Sequence, residues 1–102
     1  MHPEIADKRD ALIALCKRYD VARLEVFGSA ARGVDFDPAR SDVDLLVTFA
    51  PDARESFAMF LDLKEALEAL LGRPVDLVEP SAIKNPFIRA GINRSREVLY
   101  GA

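Results

Sequence analysis

The sequence contains one cysteine, one histidine and no long apolar run, and these scarcities exclude several protein classes. Cys16 cannot form an internal disulfide, and its place in an apolar stripe predicts the buried thiol of a cytoplasmic protein. No apolar run approaches the roughly 20 residues of a membrane span. The polar start shows no signal-peptide pattern, and His2 lies too close to the terminus for us to assign it a catalytic role.

Basic residues are outnumbered by acidic ones, 14 against 17, which gives a formal net charge of −3 at pH 7. This balance argues against a protein that grips long nucleic acid through many phosphate contacts. Basic residues are nevertheless crowded near the C-terminal end, where only Glu97 accompanies Lys84, Arg89, Arg94 and Arg96. The cluster fits a solvated helix face, or a surface that meets a phosphate or a partner, and the sequence leaves both interpretations open.

The 102 residues suffice for one domain with one core, so we expect residues 1–102 to form a single domain. Periodicity and turn residues predict an α/β (α+β) fold in the order α-β-(short helix)-β-α-β-α, with a small mixed three- or four-stranded sheet and flanking helices. The predicted strands are Leu24–Phe27, Val43–Phe49 and Val75–Val78. The first predicted helix covers Glu4–Tyr19, and a helical segment interrupted by Pro86 begins at Ser81. A further helix is predicted to be capped by Asp52 with Glu55 and to end at Leu71, before Gly72 and Pro74.

The segment Phe27–Gly33 joins the first predicted strand to a short helical stretch. Such a junction suits a phosphate, because Gly28 lets the backbone approach an anion and Ser29 offers a hydroxyl at a helix start. Arg32 could add a charge-assisted contact. A Gly-Ser pair is also a common turn with a serine N-cap, so this segment alone does not distinguish the two interpretations.

Two aspartates, Asp42 and Asp44, stand at the start of the second strand and are predicted to share one face of the sheet. Adjacent like charges repel, and a magnesium ion between them would relieve that repulsion. A capped strand entry with both aspartates in water is the alternative. Asp35 and Asp37 form a similar pair, but they precede a proline in a loop, where aspartates commonly make turns. We therefore favour the strand pair.

A third carboxylate, Asp76, lies inside the otherwise apolar third strand. An unpaired charge at such a position is costly, so we expect it to have a partner or a function. If the third strand lies beside the second, Asp76 joins the other two carboxylates, and three acids with a triphosphate can hold two metal ions about 4 Å apart. An edge-strand aspartate that faces water is the alternative.

Together these motifs resemble the DNA polymerase β-like nucleotidyltransferase superfamily, and in particular its smallest branch. The stretches Phe27–Gly33 and Ser41–Val47, followed by Asp76, are similar to the minimal nucleotidyltransferases, or MNT proteins, of prokaryotic toxin–antitoxin pairs. The spacer Ala30–Ser41 is about two residues longer than is usual in that family, a difference that a loop absorbs at small entropic cost. The extra residues bear on the fit over the triphosphate and on Arg32 more than on the metal site.

The resemblance implies an antitoxin that transfers AMP from Mg-ATP to a tyrosine hydroxyl of a partner HEPN toxin, in a homo- or hetero-oligomeric complex. It implies two Mg²⁺ ions, catalytic and metal-binding roles for Asp42, Asp44 and Asp76, and ATP contacts at Gly28, Ser29 and Arg32. Two alternatives stay open. The chain could neutralise its partner by binding alone, or it could modify a small molecule such as an aminoglycoside, although it offers little room for a second domain to hold one.

Overall fold

The computed structural model describes residues 3–28, 42–53 and 56–101. Within them the chain forms four α-helices, one short 3-10 helix and four strands. In chain order these are α1 (Pro3–Ala6), α2 (Arg9–Arg18), β1 (Val21–Phe27), β2 (Val43–Phe49), α3 (Phe57–Leu71), β3 (Val75–Val78), the 3-10 helix (Pro80–Ala82), α4 (Pro86–Ser95) and β4 (Glu97–Tyr100). No helix in this part of the chain is long and apolar enough to cross a bilayer.

The strands form one mixed sheet in the order β3-β2-β1-β4. β1 pairs antiparallel with both β2 and β4, whereas β2 pairs parallel with β3. The parallel pair is possible because α3 carries the chain back between the two strands. The predicted mixed sheet is therefore confirmed, with β3 and β4 as its edges.

The main core lies on one face of the sheet, under α2 and α3. Alternate residues of β1 and β2 point into this core. Leu24 is the register partner of Val47, and Val26 is the register partner of Leu45. Cys16 of α2 belongs to this core, as predicted, and burial raises the pKa of its thiol to about 12. A thiol held in its protonated form is a packing group and not a nucleophile.

The opposite face of the sheet is covered by α4. Ile92 of α4 is buried over this face, where Leu46 of β2 is also buried, and both lie outside the main core cluster. α4 begins after β3 and ends directly before β4, so the chain crosses the sheet from one edge to the other.

The helix over residues 57–71 begins later than predicted. Ser56 is its N-cap, and the Ser56 hydroxyl accepts a hydrogen bond from the backbone N–H of Met59 at 3.0 Å. The predicted cap at Asp52 is wrong, because Asp52 lies in a turn that closes with the bond from Ala53 N to the carbonyl of Ala50. The predicted end at Leu71 is confirmed, with Gly72 in the left-handed conformation that suits a helix C-terminus.

The predicted first helix is divided into α1 and α2 by a turn at residues 7–8. The Nζ of Lys8, the residue before α2, donates a hydrogen bond to the carbonyl of Leu70 at 2.7 Å. That carbonyl belongs to the negative C-terminal end of α3, which attracts a cation. The break therefore coincides with a long-range contact that a local periodicity does not reveal.

The C-terminal segment also differs from the prediction. Pro86 begins α4 instead of interrupting a helix, with Asn85 as N-cap accepting a hydrogen bond from Phe87 N. Proline is favoured at the first helical position, where its missing N–H costs nothing. β4 was not predicted as a separate strand, although the sheet count of three or four allowed for it. The short helix predicted after β1 lies outside the described residues.

Candidate functional site

The candidate site centres on Asp44 and Asp76, which the sheet places side by side. β2 and β3 run parallel, and Asp44 is the register partner of Asp76. Register partners on neighbouring strands lie about 5 Å apart and point to the same face. The two acids are separated by a complete helix in sequence, so their proximity is a product of the parallel strand pairing.

Asp42 extends this acidic group by one position. It directly precedes β2 and is two residues from Asp44, so both lie on one side of the strand path. Asp42 and Asp76 are exposed, whereas Asp44 is partly buried. Of the two interpretations of Asp76, the structure supports an edge-strand aspartate that faces water. Its place beside Asp44 is what links it to the site.

The electrostatics of Asp44 reflect its neighbours. Partial burial raises the pKa of the Asp44 carboxyl above its usual value, and the negative charges of Asp76 and Asp42 raise it further. A raised pKa means that the ionised carboxylate is less stable here than in water. A cation at this point would reverse that penalty.

The turn at Gly28 closes against the same carboxylate. Gly28 follows β1 with φ of 72°, a conformation that favours glycine. A Cβ added at this position would lie only 2.6 Å from Oδ2 of Asp44. The turn thus requires glycine for two reasons, its backbone conformation and the close approach of the Asp44 side chain.

The backbone N–H of Gly28 already has a partner. It donates a hydrogen bond to Oγ of Ser95, at the end of α4, at 3.1 Å. In this conformation the Gly28 N–H is not available to a phosphate. The predicted contact of this turn with a nucleotide therefore depends on groups that follow Gly28.

Several predicted residues lie outside the described residues. They are Ser29 and Arg32, predicted to contact ATP, the loop pair Asp35 and Asp37, and His2. Their predicted roles stay predictions.

The chemistry of the acidic group fits Mg²⁺, because carboxylate oxygens are the donors that this ion prefers. The glycine at position 28 leaves the space next to Asp44 free of a side chain, as a cradle for a bound group requires. Among residues 3–28, 42–53 and 56–101, no three Asp, Glu, His or Cys side chains are gathered closely enough to form a metal cluster by themselves. The backbone thus brings the candidate ligands together, while their joint ligation stays a prediction.

One wall of the candidate site is formed by α4. A cavity there is lined by residues of the β1 turn and β2 and by one flank of α4: Phe27, Gly28, Asp44, Ile88, Gly91, Ile92, Arg94 and Ser95. The sequence indicated a basic surface near the C-terminal end, and the structure places one of its members, Arg94, in this cavity. Ile88, which is 57% exposed, forms an apolar part of the same wall.

An ion pair whose carboxylate member is buried fastens the end of α4 to the sheet. Glu25 of β1 is only 2% exposed, and both its carboxylate oxygens accept hydrogen bonds from Arg96, at 2.6 and 2.7 Å. The hydrogen bond from Arg96 is the main reason why the pKa of Glu25 lies below its usual value. Arg23 adds a second cation, with Nε 3.1 Å from Oε1 of Glu25.

Sequence reasoning missed Glu25 and Ser95. A single charge between Leu24 and Val26 was the available signal for Glu25, but its partner is 71 residues away. Ser95 offered no signal, because its hydrogen bond to the β1 turn spans 67 residues.

Known proteins are similar to this chain in both sequence and fold. The family model described as "Nucleotidyltransferase domain" matches residues 8–99. The protein adenylyltransferase MntA of Thermococcus cleftensis is 42% identical over 86 residues, which cover 84% of this chain and 80% of that protein.

Solved structures agree with the sequence comparison. A chain provisionally named a minimal nucleotidyltransferase superposes with a TM-score of 0.74 at 37% identity, covering 95% of both chains. A chain from a complex of the tri-AMPylated Shewanella oneidensis HEPN toxin with an MNT antitoxin has a TM-score of 0.67 at 18% identity, covering 96% of this chain and 73% of that chain. The second likeness concerns the fold alone. With a match over most of its length, the chain belongs to the nucleotidyltransferase domain family.

Proposed function

We propose that this chain is a protein adenylyltransferase that acts as an antitoxin: it transfers AMP from Mg-ATP to a tyrosine hydroxyl of a partner HEPN toxin. The observation that carries the proposal is the in-register pair of Asp44 and Asp76 beside the Gly28 turn. The 42% identity to an adenylyltransferase supports the choice of AMP as the transferred group. The complex of an AMPylated HEPN toxin with an MNT antitoxin, a protein of the same fold, supports the choice of partner.

The reaction is an in-line attack of the acceptor oxygen on the α-phosphorus of ATP. The new bond joins the acceptor oxygen to the α-phosphorus, and the bond to the β-phosphate oxygen breaks, so pyrophosphate leaves. Asp76 is exposed on the edge strand, where it can accept the hydroxyl proton as the attack proceeds.

Asp42, Asp44 and Asp76 would hold Mg²⁺ at this site. Bound Mg²⁺ supplies positive charge that stabilises the phosphate oxygens and lowers the pKa of the attacking hydroxyl, and three acids suit two such ions. The protein contributes the fixed spacing of Asp44 and Asp76, which is set by strand register and not by a loop. Ser29 and Arg32 are proposed to contact the triphosphate from the turn after β1.

The test is incubation of the purified chain with α-labelled ATP, Mg²⁺ and the HEPN-type protein encoded beside it. We expect label on the partner, and we expect Asp44→Asn to lower the transfer rate at least about 100-fold because an electrostatic ligand at the reacting centre is lost. Asp52→Asn, in an exposed turn away from the β2–β3 acids, is the matched control and should retain the rate.

Other outcomes would decide between the alternatives. If the unlabelled partner is still neutralised by the Asp44→Asn variant, the chain acts by binding alone. If label appears on a small hydroxyl compound with no partner protein present, the antitoxin function is wrong.

A further inference from the structure

Arg94 stands in the wall opposite the acidic residues of the candidate site. It belongs to the last turn of α4 and lines the cavity that also contains Gly28 and Asp44. Its guanidinium lies along the helix flank, since a Cβ added to Gly91 would be 3.7 Å from Nη2 of Arg94. The guanidinium therefore lies within ordinary van der Waals distance of the Gly91 side of the helix, the side that lines the cavity.

Arg94 differs from the other arginines of α4 and its end. Arg89 donates to the carbonyl of Ile83, and Arg96 is committed to Glu25. Within residues 3–28, 42–53 and 56–101, the Arg94 guanidinium has neither a hydrogen-bond nor an ion-pair partner. An arginine with five donors, none of them engaged there, is available to an anionic ligand.

In the described part of the chain, no hydrogen bond or ion pair joins the Arg94 guanidinium to a carboxylate across the cavity. Arg94 thus lines the same cavity as Asp44 without being paired to it. A ligand with metal-bound phosphates on one side and free phosphate oxygens on the other could interact with the acidic residues through the metal and with Arg94 directly.

The charge balance of the proposed reaction favours a cation here in addition to Arg32. Three carboxylates and a triphosphate carry more negative charge than two divalent ions neutralise. Nucleotidyl and phosphoryl transfer depend on positive groups that counter the charge on phosphate oxygens. Among the described residues that line this cavity, Arg94 is the one cationic side chain.

We infer that Arg94 is a binding residue for the triphosphate, held in place because its neighbour Ser95 bonds the backbone of the Gly28 turn. The inference rests on the proposed function and adds to it a phosphate contact from α4. Arginine suits this position because its planar fork can donate two parallel hydrogen bonds to phosphate oxygens.

Calorimetric titration of the full chain with Mg-ATP, Mg-ADP and AMP tests the inference. Arg94→Ala should weaken Mg-ATP binding by about 10- to 100-fold, the usual effect of losing a charge-assisted contact. The loss should shrink from ATP to ADP to AMP, a gradient that a general loss of structure would not produce. Arg94→Lys should recover part of the affinity because it keeps the charge.

Arg89→Ala is the matched control, since Arg89 is an arginine of the same helix that points to the other flank and bonds Ile83. Its Mg-ATP affinity should equal that of the unmodified chain. Equal affinity in Arg94→Ala would overturn the inference and leave the proposed function standing. If the unmodified chain fails to bind Mg-ATP, both are wrong. Should Arg94→Ala fail to fold, full affinity in Arg94→Lys and Arg94→Gln alike would overturn the inference.

Discussion

Gly28 links the backbone of β1 to the chemistry of the candidate site. It turns the chain with positive φ, gives its N–H to Ser95, and leaves room for the carboxylate of Asp44. Gly72 has almost the same φ, 69°, at the end of α3, but a Cβ there would meet nothing within 4 Å. A substitution at Gly72 therefore tests backbone strain alone, whereas one at Gly28 tests strain together with crowding.

Gly28→Ala should cost about 3 kcal/mol or more of the free energy of unfolding, because strain and overpacking add. Gly72→Ala should cost only about 1 kcal/mol, the usual penalty for a side chain in the left-handed region. Urea denaturation measures both. In an Asp44→Ala background the Gly28→Ala penalty should fall towards that of Gly72→Ala, and equal penalties in both backgrounds would contradict the crowding.

At the scale of elements, α4 and β4 are held to the sheet by the ion pair of Glu25 and Arg96. The pair joins a central strand to the residue between α4 and β4. Glu25 is the buried member, so removing Arg96 takes away the main compensation of a buried charge, which costs more than the pair contributes.

Arg96→Ala should therefore lower the free energy of unfolding by about 2–4 kcal/mol. Arg23 limits the loss, because its Nε remains near the buried carboxylate. The double variant Glu25→Met with Arg96→Met should recover most of the stability, since apolar side chains of similar size carry no unpaired charge. A double variant as unstable as Arg96→Ala would show that packing, and not charge, explains the loss.

The same pair predicts a pH dependence. Because the pKa of Glu25 is lowered in the folded chain, its stabilisation is present above the ordinary glutamate pKa and is lost as pH falls through the lowered value. The stability difference between the unmodified chain and Arg96→Ala should shrink in acid. Urea titrations at pH 7 and pH 3 provide the comparison, and a constant difference would contradict this assignment.

The sequence predicted those elements whose bounds depend on neighbouring residues alone. β2 and β3 follow from apolar runs bounded by turn residues, and the end of α3 follows from Gly72. The break at residues 7–8 and the strand β4 depend on partners far along the chain, namely the carbonyl of Leu70 and the strand β1. The same distinction applies to the site, where the acids were visible in the sequence but the α4 wall was not.

At the scale of the whole molecule, the candidate site costs stability. The pKa of Asp44 is raised, so the folded chain disfavours the ionised carboxylate relative to the unfolded chain. The sign follows from proton binding. When a carboxyl has a raised pKa in the folded chain, the free energy of unfolding falls as pH rises from the pKa of the unfolded state to the pKa of the folded state. Above that range the full penalty is present.

Asp44→Asn should therefore be more stable than the unmodified chain at pH 7 while it fails in AMP transfer. The gain should be below about 1 kcal/mol, because the carboxylate is only partly buried and water screens it. Thermal unfolding in a chelator, at pH 7 and pH 3, measures the effect. The gain should vanish at pH 3, and an Asp44→Asn variant that is equally or less stable at pH 7 would contradict it.

The path of α4 has a final consequence. This helix leaves one edge of the sheet at β3 and returns to the other edge at β4, passing over the face that carries the acids. The segment that closes the sheet is thus also the segment that walls the cavity beside Asp44. Loss of β4 would release Arg96, Ser95 and the whole wall together, so damage at that edge of the fold reaches the candidate site without changing any of its aspartates.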